Sequence, residues 1–257
     1  MMALSNIALS VCVPALNEEE TLRAAVEDLL TSLGPEVGRL EVIIVNDGSS
    51  DDTGKIGEAL ALRHGSGQVA EHTLRPGSGQ ALRPSSGQAW VRVLHHAQNM
   101  GFGATYRDAL AVATGDFFTW FPADHENQAT ELVQSIPHLA PGVIVTTQHV
   151  DTDPRPLYRR VPSRFYTKTL NRLFGLRVRY YNGLTIYPTA DLRSVALGAQ
   201  GFAMQAEAMV KVGRRGLRIV ELEHPLGKRT SGKSALVSWR ALRQALRDCV
   251  RIWRAGR

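Results

Sequence analysis

Short apolar runs alternate along the chain with segments whose apolar residues recur every three or four positions. Seven runs have the length and composition of buried strands, at residues 7–13, 40–45, 90–94, 117–121, 143–147, 182–187 and 217–223. Helical spacing predicts helices at residues 19–33, 129–139 and 203–212, and two more that end near residues 62 and 113. Strands that alternate with helices are typical of parallel sheets. The pattern therefore predicts an α/β fold with a mostly parallel central sheet flanked by helices.

Residues 63–88 interrupt this alternation. Three segments rich in Gly, Ser and Pro repeat there at uneven spacing, at residues 63–68, 75–80 and 83–88. Such a composition buries too little apolar area to order itself. We predict that residues 63–88 are a flexible surface insertion within one domain of residues 1–234.

Residues 235–257 form a basic tail with apolar residues at helical spacing. The apolar positions include Trp239, Leu242, Leu246, Val250 and Trp253, and six arginines flank them. The pattern predicts a basic amphipathic C-terminal helix. Such a helix either lies on an anionic membrane surface or docks onto its own domain, and the sequence leaves both open.

The two parts of the chain carry opposite charge. Residues 1–153 hold 8 Lys and Arg against 19 Asp and Glu, a net −11, whereas residues 154–257 hold 22 against 5, a net +17. The first part suits bound cations and the second suits anions. No zinc-ligand spacing or aromatic-basic signature accompanies the basic part, so we do not expect nucleic acid as a partner.

Cysteine usage and hydropathy indicate the compartment. Cys12 and Cys249 are the only cysteines, so we expect no disulfide framework and a reducing environment. No basic residue precedes Arg23, and residues 14–18 end the first apolar run, so a signal peptide is not predicted. The sequence contains no uninterrupted apolar run of about twenty residues, so a bilayer span is not predicted. We expect a cytoplasmic protein that is peripheral on the cytosolic face of a membrane.

Two acids follow the apolar run at residues 117–121. In extended backbone, residues two apart face the same side, so Asp124 and Glu126 can direct both carboxylates to one point. Open α/β sheets bind ligands beyond the carboxyl ends of their strands. Paired carboxylates there suit Mg²⁺ or Mn²⁺ that carries a diphosphate. The alternative is that both acids are merely solvated.

Several short motifs occur together in a recognisable order. They are Pro14-Ala-Leu-Asn-Glu18, residues 45–53 with Asp47-Gly48, residues 99–103, Pro122-Ala-Asp124, and Arg229-Thr-Ser-Gly-Lys-Ser234. In this order and spacing they resemble the family-two glycosyltransferases of GT-A fold, a Rossmann-like architecture. Within that family, the chain is similar to dolichyl- or polyprenyl-phosphate mannose and glucose synthases. The resemblance covers roughly residues 5–62 and 90–236.

The resemblance implies a site for a nucleotide-sugar, with guanine or uracil as its base. The implied residues are Pro14, Ala15, Asn17, Glu18, Asp47, Gly48, Ala123, Lys233 and Ser234. A carboxylate such as that of Asp47, at the end of a strand, can accept hydrogen bonds from ribose hydroxyls or base N–H groups. The alternative is that Asp47 only forms the turn with Gly48.

One departure from the family pattern concerns the metal. The family has Asp-X-Asp where this chain has Pro122-Ala123-Asp124, so the first carboxylate is absent. Asp124 and Glu126 are the predicted ligands, and diphosphate oxygens and water can complete an octahedron of Mg²⁺ or Mn²⁺. Losing one carboxylate weakens the predicted metal site more than the predicted nucleotide site.

The acceptor implied by the resemblance is a polyprenyl or dolichyl phosphate. A phosphate monoester, with a second pKa of about 6, is largely dianionic near neutral pH and attacks without a protein base. It needs cations to hold it in line. Arg159 and Ser163 match the family's Arg-X-X-X-Ser pattern, with Arg164 beside them, and Arg229 belongs to the motif expected to close over the donor diphosphate. The alternative for these basic residues is a solvated surface.

The sequence thus predicts an inverting transfer of a hexose, of mannose or glucose type, to the lipid phosphate. The predicted catalytic residues are Asp124, Arg159, Ser163 and Arg229. A second interpretation keeps the fold but has a saccharide hydroxyl as acceptor, with Glu207 or Asp116 as base. For Glu207 we expect a structural role. A third interpretation, which Pro122 motivates, is a non-catalytic module that binds a nucleotide-sugar or lipid.

Overall fold

The computed structural model describes residues 7–64, 89–124, 127–149, 157–201 and 203–224, and for residues 149 and 157–165 it describes the backbone alone. The C-terminal helix predicted at residues 235–257 lies outside the described residues. So does the insertion, apart from Arg63 and His64, which end a helix.

A seven-stranded sheet runs through the described residues, in the order β3-β2-β1-β4-β6-β5-β7. The strands are β1 (Ala8–Ala15), β2 (Arg39–Asn46), β3 (Ala89–His95), β4 (Phe117–Trp120), β5 (Val143–His149), β6 (Thr185–Pro188) and β7 (Arg218–His224). All seven predicted strands are present, with ends shifted by three residues or fewer.

Strand direction determines which loops meet. β6 is antiparallel to both β4 and β5, while every other neighbouring pair is parallel. The predicted mostly parallel sheet is therefore confirmed. Six strands place their carboxyl ends at one edge of the sheet, which we call the carboxyl edge, and β6 begins there.

The helices flank the sheet. They are α1 (Leu22–Leu33), α2 (Thr53–His64), α3 (Phe102–Val112), α4 (Thr130–Val133), α5 (Leu157–Phe174), α6 (Thr189–Arg193) and α7 (Ala203–Gly213). Neither α5 nor the short α6 was among the helices predicted from the spacing. The continuous helix predicted at residues 129–139 is wrong, since α4 ends at Val133 and a separate 3₁₀ turn spans Ile136–His138. Pro137 lacks the N–H that would continue the α-helical ladder.

The core lies between the sheet and the helices on its faces. Every residue of β1 except Pro14 is buried, and so is every residue of β2 except Arg39, as expected of strands covered on both faces. The apolar face predicted for α1 is also buried, at Leu22, Val26, Leu29 and Leu33. Within the described part of the chain, we find no helix with the length and hydropathy that a bilayer crossing requires.

Candidate active site

A cleft of about 290 Å³ lies at the carboxyl edge, where β1, β2 and β4 end. Its lining comes from four short segments of the chain. The residues are Pro14, Ala15, Leu16, Glu18, Asp47, Asn99, Gly101, Phe102, Thr105, Trp120, Pro122, Ala123 and Asp124. The cleft therefore brings together six predicted site residues from three separate motifs, including Asp47 and Asp124.

The loops after β1 and β2 are joined by hydrogen bonds. Asn17 has a φ of 56°, which places it in the left-handed region that Asn tolerates better than most residues. Its Oδ1 accepts the Ser50 N–H at 2.9 Å, and its own N–H donates to Oγ of Ser49 at 3.0 Å. The N–H of Glu18 donates to Oγ1 of Thr53 at 2.8 Å. Asn17 thus braces the wall of the cleft and is not among its lining residues.

Asp47 is buried and accepts three hydrogen bonds from the protein. Oδ1 accepts the Met100 N–H at 2.8 Å and faces Nδ1 of His96 at 2.7 Å, while Oδ2 accepts the Gly101 N–H at 2.8 Å. A carboxylate offers about four lone-pair positions. Asp47 therefore orders the segment before α3 and retains about one position, on Oδ2, for a ligand in the cleft.

Gly48 allows this arrangement because two backbones meet closely there. Its φ is +72°, and a Cβ atom at this position would lie 2.5 Å from the carbonyl carbon of Gln98. Both the left-handed conformation and the close approach require glycine. Gly48 is not among the residues that line the cleft. The turn after β2 therefore has a structural role, and Asp47 also faces the cleft.

His96 was missed by the sequence reasoning. Its side chain is 1% exposed and lies between two carboxylates, Asp47 on one side and Asp108 of α3 on the other. The signal was the His95-His96 pair at the end of β3. Because side chains alternate along a strand, the two face opposite sides. His95 instead contacts Nδ2 of Asn46 at 3.1 Å.

Two aromatic side chains of the cleft were also missed. The rings of Phe102 and Trp120 meet edge to face, with centroids 5.0 Å apart and planes at 75°. Trp120 ends β4 and Phe102 begins α3, so the sequence gives no hint that they touch. Together they form an apolar wall beside the acids.

Cys12 lies below the cleft and is chemically inert. Its Sγ is 3.8 Å from the carbonyl oxygen of Thr105. Burial, together with the negative charge of Asp108, raises the pKa of the Cys12 thiol far above its ordinary value. The thiol stays protonated, so it serves neither as a nucleophile nor as a metal ligand.

The structure describes only one of the two predicted metal ligands. Asp124 is exposed and follows Pro122 and Ala123 along the rim of the cleft. Glu126 lies outside the described residues. Within the described ranges, no three His, Cys, Asp or Glu side chains cluster as a metal site would require. Asp124 is compatible with the binding mode in which one or two carboxylates and substrate phosphates share Mg²⁺.

The predicted acceptor residues are placed only by their backbone or not at all. Arg159, Ser163 and Arg164 lie in the first half of α5. Arg229, Lys233 and Ser234 are outside the residues that the structure describes. The grouping of these side chains around the acceptor and the diphosphate stays a prediction.

The two acids considered as a catalytic base do not line the cleft. Asp116 precedes β4, and its carbonyl oxygen accepts the N–H of Thr189. At about 3.3 Å per residue, β4 separates Asp116 from the carboxyl edge by more than roughly 10 Å. Asp116 as a base at this cleft is therefore wrong.

Glu207 of α7 is buried and fully engaged. Its Oε2 accepts the N–H groups of Gly198 and Ala199 at 2.8 and 2.7 Å, and its Oε1 pairs with Nζ of Lys211 at 2.8 Å. These contacts fix the segment before α7. The geometry agrees with the structural role expected for Glu207.

Comparison with known families supports the family that was inferred from the motifs. The sequence model described as "Glycosyl transferase family 2" matches residues 10–83 and 87–194. The chain belongs to glycosyl transferase family 2, and the resemblance inferred from its motifs is confirmed at the level of the family.

Two curated relatives share part of their length with the chain. "Glycosyltransferase AglD" of Haloferax volcanii is 24% identical over 239 residues, which cover 84% of this chain and 32% of the relative. The human "Dolichyl-phosphate beta-glucosyltransferase" is 31% identical over 121 residues, which cover 44% of this chain and 32% of the relative. The matched segment is thus about a third of each relative.

Solved structures share the fold. Glucosyl-3-phosphoglycerate synthase of Mycobacterium tuberculosis, in complex with Mn²⁺, uridine-diphosphate-glucose and phosphoglyceric acid, superposes with a TM-score of 0.68 at 20% identity. The match covers 97% of this chain and 80% of that chain. Another structure of the enzyme from this organism gives a TM-score of 0.63 at 22% identity. The predicted GT-A fold is therefore confirmed.

Proposed function

We propose that the chain is an inverting glycosyltransferase that moves a hexose from a nucleotide-sugar to a polyprenyl or dolichyl phosphate. The observation that carries the proposal is that Asp47 and Asp124, from different motifs, line one cleft at the carboxyl edge. Family membership supports sugar transfer. The name of the human relative supports a lipid phosphate acceptor and glucose as the sugar.

The donor base is uracil in this proposal. Asp47 already accepts three protein hydrogen bonds, which leaves about one acceptor position. Uracil offers one ring N–H, whereas guanine offers a ring N–H and an amino group side by side and is best matched by a carboxylate with both oxygens available. The fold relatives in complex with uridine diphosphate support the same choice.

Asp124 holds the divalent metal in this proposal, together with Glu126. The metal is Mg²⁺ or Mn²⁺, both of which occur with uridine diphosphate in structures of the fold relative. When bound, the metal supplies positive charge to the departing nucleoside diphosphate. Because Pro122 replaces one carboxylate, we expect this site to bind the metal more weakly than a site with two aspartates.

The acceptor phosphate is held by Arg159, Ser163 and Arg164 in this proposal, while Arg229, Lys233 and Ser234 close over the donor diphosphate. Charge supports this assignment, since residues 154–190 contain eight Arg and Lys and no acid. Glu207 is occupied by structural contacts, and Asp116 does not line the cleft, so neither is placed to act as a base. This favours a phosphate acceptor, because a hydroxyl acceptor needs a base and a dianionic phosphate does not. A single in-line displacement gives inversion at the anomeric carbon.

A transfer assay with labelled donors tests the proposal. Purified protein is supplied with UDP-glucose, UDP-galactose or GDP-mannose, with and without Mn²⁺, and with a short polyprenyl phosphate, a saccharide or 3-phosphoglycerate as acceptor. We expect a labelled lipid with a β linkage from a UDP-hexose. Transfer only to the saccharide or phosphoglycerate would overturn the lipid acceptor, and an α-linked product would overturn inversion.

We also propose that residues 235–257 hold the protein on the cytosolic surface of an anionic membrane. The arginines of this segment and its two tryptophans suit the headgroup region. Vesicle flotation tests this with the full-length protein and a variant carrying Arg243→Glu, Arg247→Glu and Arg251→Glu. We expect the variant to lose binding to phosphatidylserine vesicles. Equal flotation of both proteins would contradict a membrane role for the tail.

A further inference from the structure

His96 lies in a line of three titratable side chains behind the cleft. Its Nδ1 is 2.7 Å from Oδ1 of Asp47, and its Nε2 is 3.0 Å from Oδ2 of Asp108. Asp47 in turn accepts the N–H groups of Met100 and Gly101. A chain of hydrogen bonds therefore runs from α3 through the imidazole to the segment that lines the cleft.

The two carboxylates determine what the imidazole must do. An ionised carboxylate only accepts hydrogen bonds, and a neutral imidazole has a single N–H to donate. The His96 side chain is 1% exposed, so its ring nitrogens face these two carboxylates and not solvent. The shorter contact, 2.7 Å from Nδ1 to Asp47 against 3.0 Å from Nε2 to Asp108, indicates Nδ1 as the nitrogen that donates.

The position of Asp47 depends on this donation. The Asp47 side chain is only 6% exposed, so an ionised carboxylate there needs strong donors in place of water. Two of its donors are the backbone N–H groups of residues 100 and 101, which themselves need an acceptor. His96 and the Met100 N–H both contact Oδ1, so the remaining acceptor position lies on Oδ2 beside the Gly101 N–H.

We propose that His96 is a positioning residue for the donor site, whose imidazole bridges Asp47 and Asp108. The proposal rests on the proposed role of Asp47 in binding the nucleotide. His96 does not line the cleft. It acts through Asp47, whose carboxylate it holds in the orientation that orders residues 99–101 and accepts one further bond from the donor.

A matched pair of substitutions separates the two hydrogen bonds. The amide nitrogen of Asn takes the place of Nδ1 and that of Gln takes the place of Nε2. His96→Asn therefore keeps a donor to Asp47, whereas His96→Gln keeps a donor to Asp108 and loses the one to Asp47. The neighbouring His95→Gln is the control, because His95 faces the other side of the strand and is partly exposed.

Steady-state kinetics with a UDP-sugar give the first readout. We expect His96→Gln to raise KM for the donor about tenfold or more while kcat changes by less than about threefold, because Asp47 loses the hydrogen bond that fixes the orientation in which it accepts the donor. His96→Asn should raise KM less than His96→Gln, and His95→Gln should leave it unchanged. A donor KM within about twofold of wild type for His96→Gln would overturn the proposal.

Two further readouts do not depend on activity. Nitrogen-15 spectra of labelled histidine should show a proton on Nδ1 of His96, the nitrogen that donates to Asp47. Amide exchange at residues 100 and 101 should be about tenfold faster in His96→Gln than in His95→Gln. An Nδ1 without a proton, or unchanged exchange, would overturn the inference about His96. If wild type binds no nucleotide but both readouts hold, the proposed function fails and the positioning of Asp47 stands.

Discussion

Glu207 and Ala199 are joined by a hydrogen bond of 2.7 Å, from the backbone N–H of Ala199 to Oε2 of Glu207. The carbonyl oxygen of Ala199 accepts a hydrogen bond of 2.9 Å from Nη1 of Arg107 in α3. The acid of α7 therefore fixes a segment that packs against the helix beside the cleft. Glu207 therefore has a structural role, and substitutions can test that role against the role of a catalytic base.

Substituting Glu207 distinguishes these roles. In Glu207→Gln the amide oxygen can still accept the two N–H groups, so we expect transfer within about threefold of wild type. In Glu207→Ala those buried N–H groups lose their acceptor, which should cost about 1–3 kcal/mol in the free energy of unfolding. Urea denaturation and the transfer assay measure the two effects. An inactive but stably folded Glu207→Gln would instead identify a base and favour a hydroxyl acceptor.

The packing of α3 on the same segment gives a second prediction. A Cβ atom at Gly103 would lie 2.3 Å from the carbonyl oxygen of Ala199, a backbone atom that cannot move aside freely. Gly103→Ala should therefore destabilise the protein by about 1–3 kcal/mol, despite the better helix propensity of Ala.

The control for Gly103 is Gly57 in α2. Its Cβ would lie 3.4 Å from a methyl group of Val93, an ordinary contact, so Gly57→Ala should be neutral or stabilising by up to about 1 kcal/mol. Thermal unfolding compares the two variants. Equal melting temperatures would contradict the close packing of α3 on residue 199.

Stability should depend on pH through Glu131 of α4. Burial raises the pKa of the Glu131 carboxyl above its ordinary value of 4.5, and hydrogen bonds from Asn127 offset this in part. Because the folded state favours the protonated form, ionisation destabilises the fold as pH rises from 4.5 through the raised pKa. Glu131→Gln, which cannot ionise, should be more stable than wild type at pH 7.

The same variant at low pH is the control. Below pH 4.5 Glu131 is protonated in both the folded and the unfolded protein, so the advantage of Glu131→Gln should disappear there. Urea denaturation at pH 4 and pH 7 measures the difference. An advantage of the same size at both pH values would contradict the burial effect.

Removing the carboxylate of Asp124 tests the metal proposal. Asp124→Asn should lower kcat by about a hundredfold or more at saturating donor, since the departing diphosphate loses metal-borne charge. Its exposed position predicts little change in the free energy of unfolding. A variant with full activity that still responds to Mn²⁺ would show that Asp124 is not a ligand.

Much of the fold and part of the site follow from local sequence. The strand Phe117–Trp120 and the acid beyond it were predicted from one apolar run and its abrupt end. The site role of Asp47, at the end of β2, was implied by the family resemblance, and its position at a strand end agrees with that role. Parallel strands bring such ends together, so sheet geometry explains why the two acids meet.

The contacts that complete the site are not local. His96 lies 49 residues from Asp47 and meets it only because β3 pairs with β2 in a particular register. The edge-to-face contact of Phe102 and Trp120 likewise depends on how α3 packs against the sheet. The break in the helix predicted at residues 129–139 has a local cause, because Pro137 lies in this segment and has no N–H for the helical ladder.

We propose that the cleft between Asp47 and Asp124 holds a uridine nucleotide. Calorimetric titration of UDP and GDP into the full-length protein with Mn²⁺, repeated with Asp47→Asn, measures this preference and the contribution of Asp47. We predict that UDP binds at least about tenfold more tightly than GDP, and that Asp47→Asn, folded by circular dichroism, loses about tenfold or more of its UDP affinity. Binding of neither nucleotide, or equal UDP affinity in wild type and Asp47→Asn, would contradict the account.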